Sequence, residues 1–259
     1  MTGSVVSLTT YPVKGLSGQA LDRVELEPGR GFPMDRAFGF ARADSGFDPD
    51  NPKPLPKDRF LVLMVDAALA SVATRFDPET RILEVNHGEE IETFDLAGAD
   101  GCEAASRHFA TLTGLDESDL PRFVVAEPHR FTDVSVVSPE LMNAVSLINR
   151  TSVEAFAEAI GKPVDPMRFR GNIVFEGCPA FSELDRVGAE IWIGATRLEV
   201  MMRTKRCAAT EVNPDTAERD LRVPNLLRRT YGHFDMGVYA RVIEGGPIVP
   251  GDPVTLIEG

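Results

Sequence analysis

The sequence is poor in the residues that staple a fold, bind a metal unaided or cross a membrane. It holds three cysteines in 259 residues, Cys102, Cys178 and Cys207, widely spaced and with no CxxC pair. That excludes a disulfide framework, a four-cysteine zinc site and a ferredoxin-type iron–sulfur module, and points to a reducing, cytoplasmic location. Histidine is as scarce: His87, His108, His129 and His233 never fall three or four residues apart, so no helical metal-binding pair exists. The longest apolar run, Phe60 to Val65, is six residues, against the roughly 20 that a membrane helix needs. The start, MTGSVVSLTTYPVKG, lacks a basic segment followed by an apolar one, so no secretory signal is read. Positive charge is in deficit: 27 Lys plus Arg against 40 Asp plus Glu give a formal net charge of −13. Nucleic acid and anionic membranes are therefore poor partners, because both are held by neutralising phosphate. No GxGxxG follows a strand, and GxxxxGK[ST], GxSxG and HExxH are absent, which leaves Rossmann, P-loop, hydrolase and zinc-protease readings without support.

What is there is an ordinary globular composition, 43% hydrophobic and 26% charged, in a chain long enough for one large domain or two small ones. Residues 4–10 and 22–27 read as strands around a Gly/Pro loop, YPVKGLSGQ. A glycine-rich turn and an aromatic strand follow over residues 29–42. Residues 43–58 carry four prolines and read as loop. The run Phe60–Val65 predicts a buried strand, residues 103–112 a helix and residues 121–125 a strand. Residues 126–140 turn loop-like again, and a boundary is expected there, giving domains 1–125 and 126–259. The clearest helix lies in SLINRTSVEAFAEAIG, with Val153, Phe156, Ala157 and Ile160 on one face, Thr151 or Ser152 as N-cap and Gly161 as the stop. Short strands separated by Gly, Pro and Asp fill the rest, the pattern of a sandwich or barrel.

Five segments could carry chemistry. In Arg203-Thr-Lys-Arg-Cys207 three cations stand in four residues. On a strand, Arg203, Lys205 and Cys207 share a face, and cations beside a thiol favour the thiolate that attacks or binds soft metals. The same residues also suit a buried small side chain beside solvated charges. In Met167-Arg-Phe-Arg-Gly-Asn172, a strand places Arg168, Arg170 and Asn172 on one face, where guanidinium forks match phosphate. An exposed polar face reads equally well. Lys14 in its Gly/Pro loop suits either a phosphate contact or plain solvent exposure. Arg36 can serve a ligand or simply pair with Asp35. Asn149, Thr151 and Ser152 precede or open a helix, as ordinary caps or as an anion site. Taken together, the five donor-rich segments and one thiol suit an anionic, phosphate-bearing ligand with a soft metal.

These stretches resemble the MOSC family, named after the C-terminal domain of the molybdenum cofactor sulfurase. The resemblance covers nearly the whole chain: YPVKGLSG, FPMDRAFGF and KDRFLVLMVDAALASVATRFDPET in the first half, then RFRGNIVF, CPAFSELDRVGAEIWIG, RTKRCAATEVNPDT and GDPV. Arg-Cys followed by Asn-Pro-Asp-Thr is the most specific. The resemblance implies a β-rich α+β protein with few short helices: a MOSC β-barrel packed with an N-terminal β-rich domain, the ligand in the cleft between them. It implies a pterin-based molybdenum cofactor with Cys207 on the metal. By the same resemblance Lys14 lies near the cofactor phosphate, and Arg36, Arg170 and Asn172 contact the pterin or phosphate. Asn149, Thr151 and Ser152 would line the same pocket, and Arg206 precedes the cysteine. Two positions depart from the family pattern: Gly15 stands where relatives often carry Ser, and Ala217 where Gly is usual.

The function this implies is reduction of N-hydroxylated or N-oxygenated small molecules, resembling the amidoxime-reducing component and its bacterial counterparts. Electrons would come from a separate donor, ferredoxin-like or a b-type cytochrome/flavin reductase. The rivals are a sulfur carrier using a Cys207 persulfide, a cofactor carrier without redox turnover, and a scaffold that has lost the cofactor.

Overall fold

In the computed structural model, which describes residues 1–257, strands of the second half of the chain build a barrel that the first strand closes, and the first half adds smaller sheets beside it. Strand β1 (Thr2–Thr10) leads through β2 (Gln19–Leu21) and β3 (Val24–Leu26) to β4 (Phe38–Ala41). Strands β5 (Ala73–Phe76), β6 (Ile82–His87) and β7 (Glu90–Asp95) form a three-stranded antiparallel sheet. Helix α1 (Ala99–Thr113) follows, and β8 (Arg122–Val125) pairs back with β4. Then come β9 (Val145–Asn149), α2 (Arg150–Ile160), β10 (Ile173–Glu176), β11 (Glu190–Ile193) and β12 (Thr196–Lys205). Helix α3 (Val223–Tyr231), β13 (Asp235–Glu244), β14 (Gly246–Ile248) and β15 (Pro253–Leu256) complete the order.

The barrel runs β10-β9-β13-β12-β11-β15-β1 and closes where β1 pairs with β10; β2 extends β1. Among the strands of the described residues only β9 and β10 pair in parallel, and parallel neighbours need a crossover, which α2 supplies. Strand β1 belongs to the N-terminal side of the expected boundary, yet it closes the barrel of the C-terminal side. Alternation explains the walls: in β11, Ile191 and Ile193 are buried and Trp192 faces out, and in β15, Val254 and Leu256 point inward. With Leu8, Phe175, Leu198 and Val238 they fill one core, each contributing about 1.5–3 kcal/mol on burial. The N-terminal region has its own core, in which Phe38, Phe40, Phe76 and Phe109 pack between sheets and α1.

Three local expectations are corrected. The run Phe60–Val65 is no strand: Phe60 makes one isolated bridge to Ala41, and Val65 N–H turns back to the Val62 carbonyl. Its first three residues are buried; an apolar run signals burial, not a ladder. Helix α2 starts earlier, capped by Asn149, whose side chain accepts from Thr151 N–H. The segment around Arg168 and Arg170 is not extended. Asp165 caps a 3₁₀ turn over Pro166–Phe169, Arg170 is left-handed (φ 50°), and the strand begins only at Ile173.

Candidate functional site

Where β1 ends, the chain passes along the seam between barrel and N-terminal region, and Tyr11 to Gly15 line it. The Lys14 ammonium is buried; it donates to the Phe131 carbonyl (2.8 Å) and pairs with Asp133. Burial pushes Lys14 below its ordinary pKa, against the pull of Asp133. Burial also works against the Asp133 carboxylate, but Lys14 and Lys57 outweigh it and hold it well below the usual carboxylate range. Gly15 next to it has φ +85°, and a Cβ there would stand 2.4 Å from the Leu61 carbonyl oxygen. No side chain fits, so the serine of the relatives has no place in this backbone.

Asp35 and Arg36 are not a surface pair. Asp35 is 4% exposed and binds Arg36 through both carboxylate oxygens at 2.5 Å. It also accepts from the Tyr11 N–H (3.0 Å) and the Asn172 amide (2.8 Å). Arg36 donates to the Arg170 carbonyl (3.0 Å) and has left-handed backbone, φ 48°. Asn172 is fully engaged as a brace: it donates to the Thr9 carbonyl of β1 and accepts from Ser146 N–H of β9. The Arg170 guanidinium, by contrast, lies 4.3 Å from the Tyr11 ring centroid and makes no hydrogen bond or ion pair to any described residue. Burial lowers its pKa to about 10, with repulsion from Arg36 adding to the shift.

Cys207 follows the end of β12. The expected shared face with Arg203 and Lys205 is lost because the strand stops at Lys205 and Cys207 caps a 3₁₀ turn, Ala208–Glu211. Arg203 points away, bound to the Leu184 carbonyl and Asp185. Arg206 turns inward, donating to the Phe169 carbonyl (2.8 Å) and the Met236 carbonyl; burial pushes it down to about 10. The Cys207 thiol is half-buried. Lys57 stands beside it: burial opposes the ammonium, but Asp133 and Cys207 raise its pKa.

Lys14, Arg36, Arg170, Asn172, Arg206 and Cys207 line one cavity of about 310 Å³. Asn149, Thr151 and Ser152 are not among its lining residues. Asn149 and Ser152 instead surround the buried Glu183, with the Ser152 hydroxyl 2.9 Å and the Asn149 amide 3.1 Å from its carboxylate. Burial raises the Glu183 pKa despite those bonds. Four participants escaped the sequence reading. Lys57 lies in a proline-rich loop, Asp133 belongs to an irregular segment, Tyr11 opens the Gly/Pro loop after β1, and Tyr239 lies within a strand. A period-two count on β13 places Tyr239 opposite the barrel core, the one signal that could have found it.

The cavity carries seven cationic side chains and two carboxylates, in a chain of net charge −13. Such a concentration suits a multiply charged anion. Among the described residues no three His, Cys, Asp or Glu side chains gather to hold a bare metal ion.

Residues 112–255 match the MOSC domain. The chain is 34% identical to the human mitochondrial amidoxime reducing component 2, with 97% of this chain and 83% of that protein covered. It is 31% identical to the mitochondrial amidoxime-reducing component 1 of Xenopus laevis, over 62% of this chain and 52% of that protein. It is 28% identical to the molybdenum cofactor sulfurase of Caenorhabditis briggsae, over 92% of this chain and 33% of that protein. The chain thus spans about half of the frog protein and a third of the sulfurase.

Proposed function

The chain belongs to the MOSC domain family, and on that premise we propose that it binds a pterin-based molybdenum cofactor and reduces N-hydroxylated or related N-oxygenated small molecules. The observation that carries this reading is one half-buried thiol in the same cavity as a cluster of cations, among them Arg170 without a protein partner. A pterin dithiolate with a phosphate is an anion that brings metal ligands with it, and the donor set fits. Cys207 would take the metal through its sulfur. Arg170, with no protein partner, and Lys14 and Arg206, each already oriented, would hold the phosphate and pterin. Arg36 and Asn172 would act mainly by fixing Arg170 and Tyr11.

When bound, the cofactor supplies the two-electron redox step. The chain's own residues orient and exclude water. Val62 and Val134 wall the cavity. Lys57 places a proton-bearing ammonium beside Cys207, within reach of Asp133. The net reaction takes up two electrons and two protons, breaks the N–O bond and releases water. We assign the electrons to a separate donor, ferredoxin-like or a b-type cytochrome/flavin reductase, because the cysteines stand apart and join no ligand cluster among the described residues. A cytoplasmic location is part of the same reading; no helix of the described residues is long and apolar enough to cross a membrane.

The test is turnover of benzamidoxime by cofactor-loaded protein with reduced viologen as donor. Benzamidine should form with the wild type and fall to background in Cys207→Ala. Equal turnover in the variant would overturn the assignment.

A further inference from the structure

The thiol of Cys207 and the unpaired guanidinium of Arg170 share a cavity but stand on different elements. Arg170 ends the 3₁₀ turn Pro166–Phe169, and Cys207 opens the turn Ala208–Glu211. Arg168, two residues before Arg170, ties one turn to the other. Its side chain is 3% exposed. One arm of the guanidinium donates to both carboxylate oxygens of Asp220, each at 2.7 Å. The other donates to the carbonyls of Thr210 (3.4 Å) and Glu211 (3.2 Å), in the turn that Cys207 caps.

The loop from Cys207 to Asp220 is closed on itself. Thr210 donates to the Cys207 carbonyl through its N–H (3.0 Å) and its hydroxyl (2.9 Å). Val212 and Arg219 form an isolated antiparallel bridge, and the Asn213 N–H donates to the Glu218 carbonyl (2.8 Å). The Asn213 side chain joins this loop to the ion pair: its amide donates to Asp220 (2.7 Å), and its oxygen accepts from the Asp215 N–H (2.9 Å). Asn213 and Asp220 are not among the residues that line the cavity of the thiol. They reach it only through Arg168 and the backbone that carries Cys207.

An ion pair taken largely out of water adds little net stability, because desolvation offsets the attraction. What a bidentate guanidinium–carboxylate pair supplies is direction. The planar fork meets a carboxylate and two carbonyls at once; an ammonium carries the same charge without that geometry. We propose that Arg168 and Asp220 are positioning residues, which together set where the Cys207 thiol stands relative to Arg170 and the other cations of the cavity. The consequence for turnover rests on the proposed function; the placement of the thiol does not.

Two variants test this. Asp220→Ala removes the partner through a side chain 34% exposed. Arg168→Lys keeps the charge and loses the fork, and it decides the matter if the alanine variant fails to fold. The first readout uses the full chain from a host that makes no pterin cofactor. Cys207 is alkylated with iodoacetate and, separately, with iodoacetamide, and both rates are read by peptide mass spectrometry. Both reagents attack the thiolate, so its fraction cancels from the ratio, which reports how closely cations surround the sulfur. The wild-type ratio should exceed that of glutathione about tenfold, and a folded variant should lose about threefold or more of it. The second readout is turnover of benzamidoxime by cofactor-loaded protein. Per bound molybdenum, kcat should fall about 10- to 100-fold with KM held within about twofold, the signature of a misplaced reacting group. A wild-type alkylation ratio in both variants overturns the proposal, and so does a lowered ratio with wild-type kcat. No turnover by the loaded wild type overturns only the proposed function, and the alkylation ratio then decides the placement of the thiol alone.

Discussion

Arg36 and Arg170 place their guanidinium carbons 4.4 and 4.3 Å from the centroid of one ring, that of Tyr11, and both do so from left-handed backbone. Left-handed geometry costs a non-glycine residue roughly 1–2 kcal/mol, and two like charges beside one ring add repulsion. Asp35 neutralises Arg36 alone. Arg170 is thus held, strained and unpaired, against Tyr11 and by a bond from Arg36 to its carbonyl, with Asp35 fixing Arg36 and Asn172 bound to Asp35. Strain concentrated at a cavity wall is the mark of a site shaped for a ligand.

Arg170→Ala should therefore separate binding from stability. Affinity for an anionic ligand, read with inorganic phosphate or the isolated cofactor, should fall about 10- to 100-fold, the loss of a charged hydrogen bond. The urea midpoint should hold or rise, because repulsion from Arg36 is removed. A large loss of stability would mean that Arg170 is a structural residue.

Anion binding should weaken as pH rises through about 10. Burial depresses Arg170 and Arg206 to about that value in the free protein. A bound anion favours their charged forms, so binding takes up protons and is lost where the free groups discharge. Affinity measured in steps of pH should decline there; a flat profile well beyond it would contradict the electrostatic account.

Asn172→Ala should destabilise the fold by about 2 kcal/mol or more, since it strips partners from Ser146 N–H, the Thr9 carbonyl and Asp35 together. Chemical denaturation measures this directly. An unchanged midpoint would show that β1 and β9 do not depend on the brace.

The cluster of cations was legible in the sequence because RTKRC and RFRGN stand out in an acidic chain. Its geometry was not. Alternation along a strand would put Arg168 and Arg170 on one face, but a 3₁₀ turn and a left-handed residue send Arg168 to Asp220 and Arg170 to Tyr11. Period-two counting has no access to such a turn. The barrel strands β11 and β15 were readable from their alternation, whereas its closure by β1 depends on pairings between residues more than 160 positions apart. Asn149 and Ser152 look like site residues from their type alone. What decides their role is Glu183, a carboxylate buried about 30 positions further along.

Glu183→Gln should flatten the pH dependence of stability. Burial raises the folded-state pKa of Glu183 above its unfolded value. Its favourable contribution is thus complete below the unfolded pKa and is lost as pH rises through the folded one. Urea midpoints of the wild type should fall from acidic toward neutral pH more than those of the variant. Parallel curves would place Glu183 outside the linkage.

The most direct test of the account is metal and pterin content per chain. Protein from a host competent in cofactor synthesis would be compared with Cys207→Ala by plasma mass spectrometry and pterin fluorescence. The account predicts nearly one molybdenum and one pterin per wild-type chain, with molybdenum lost in the variant. Metal-free, pterin-free wild-type protein, or a variant that keeps full molybdenum, would contradict it.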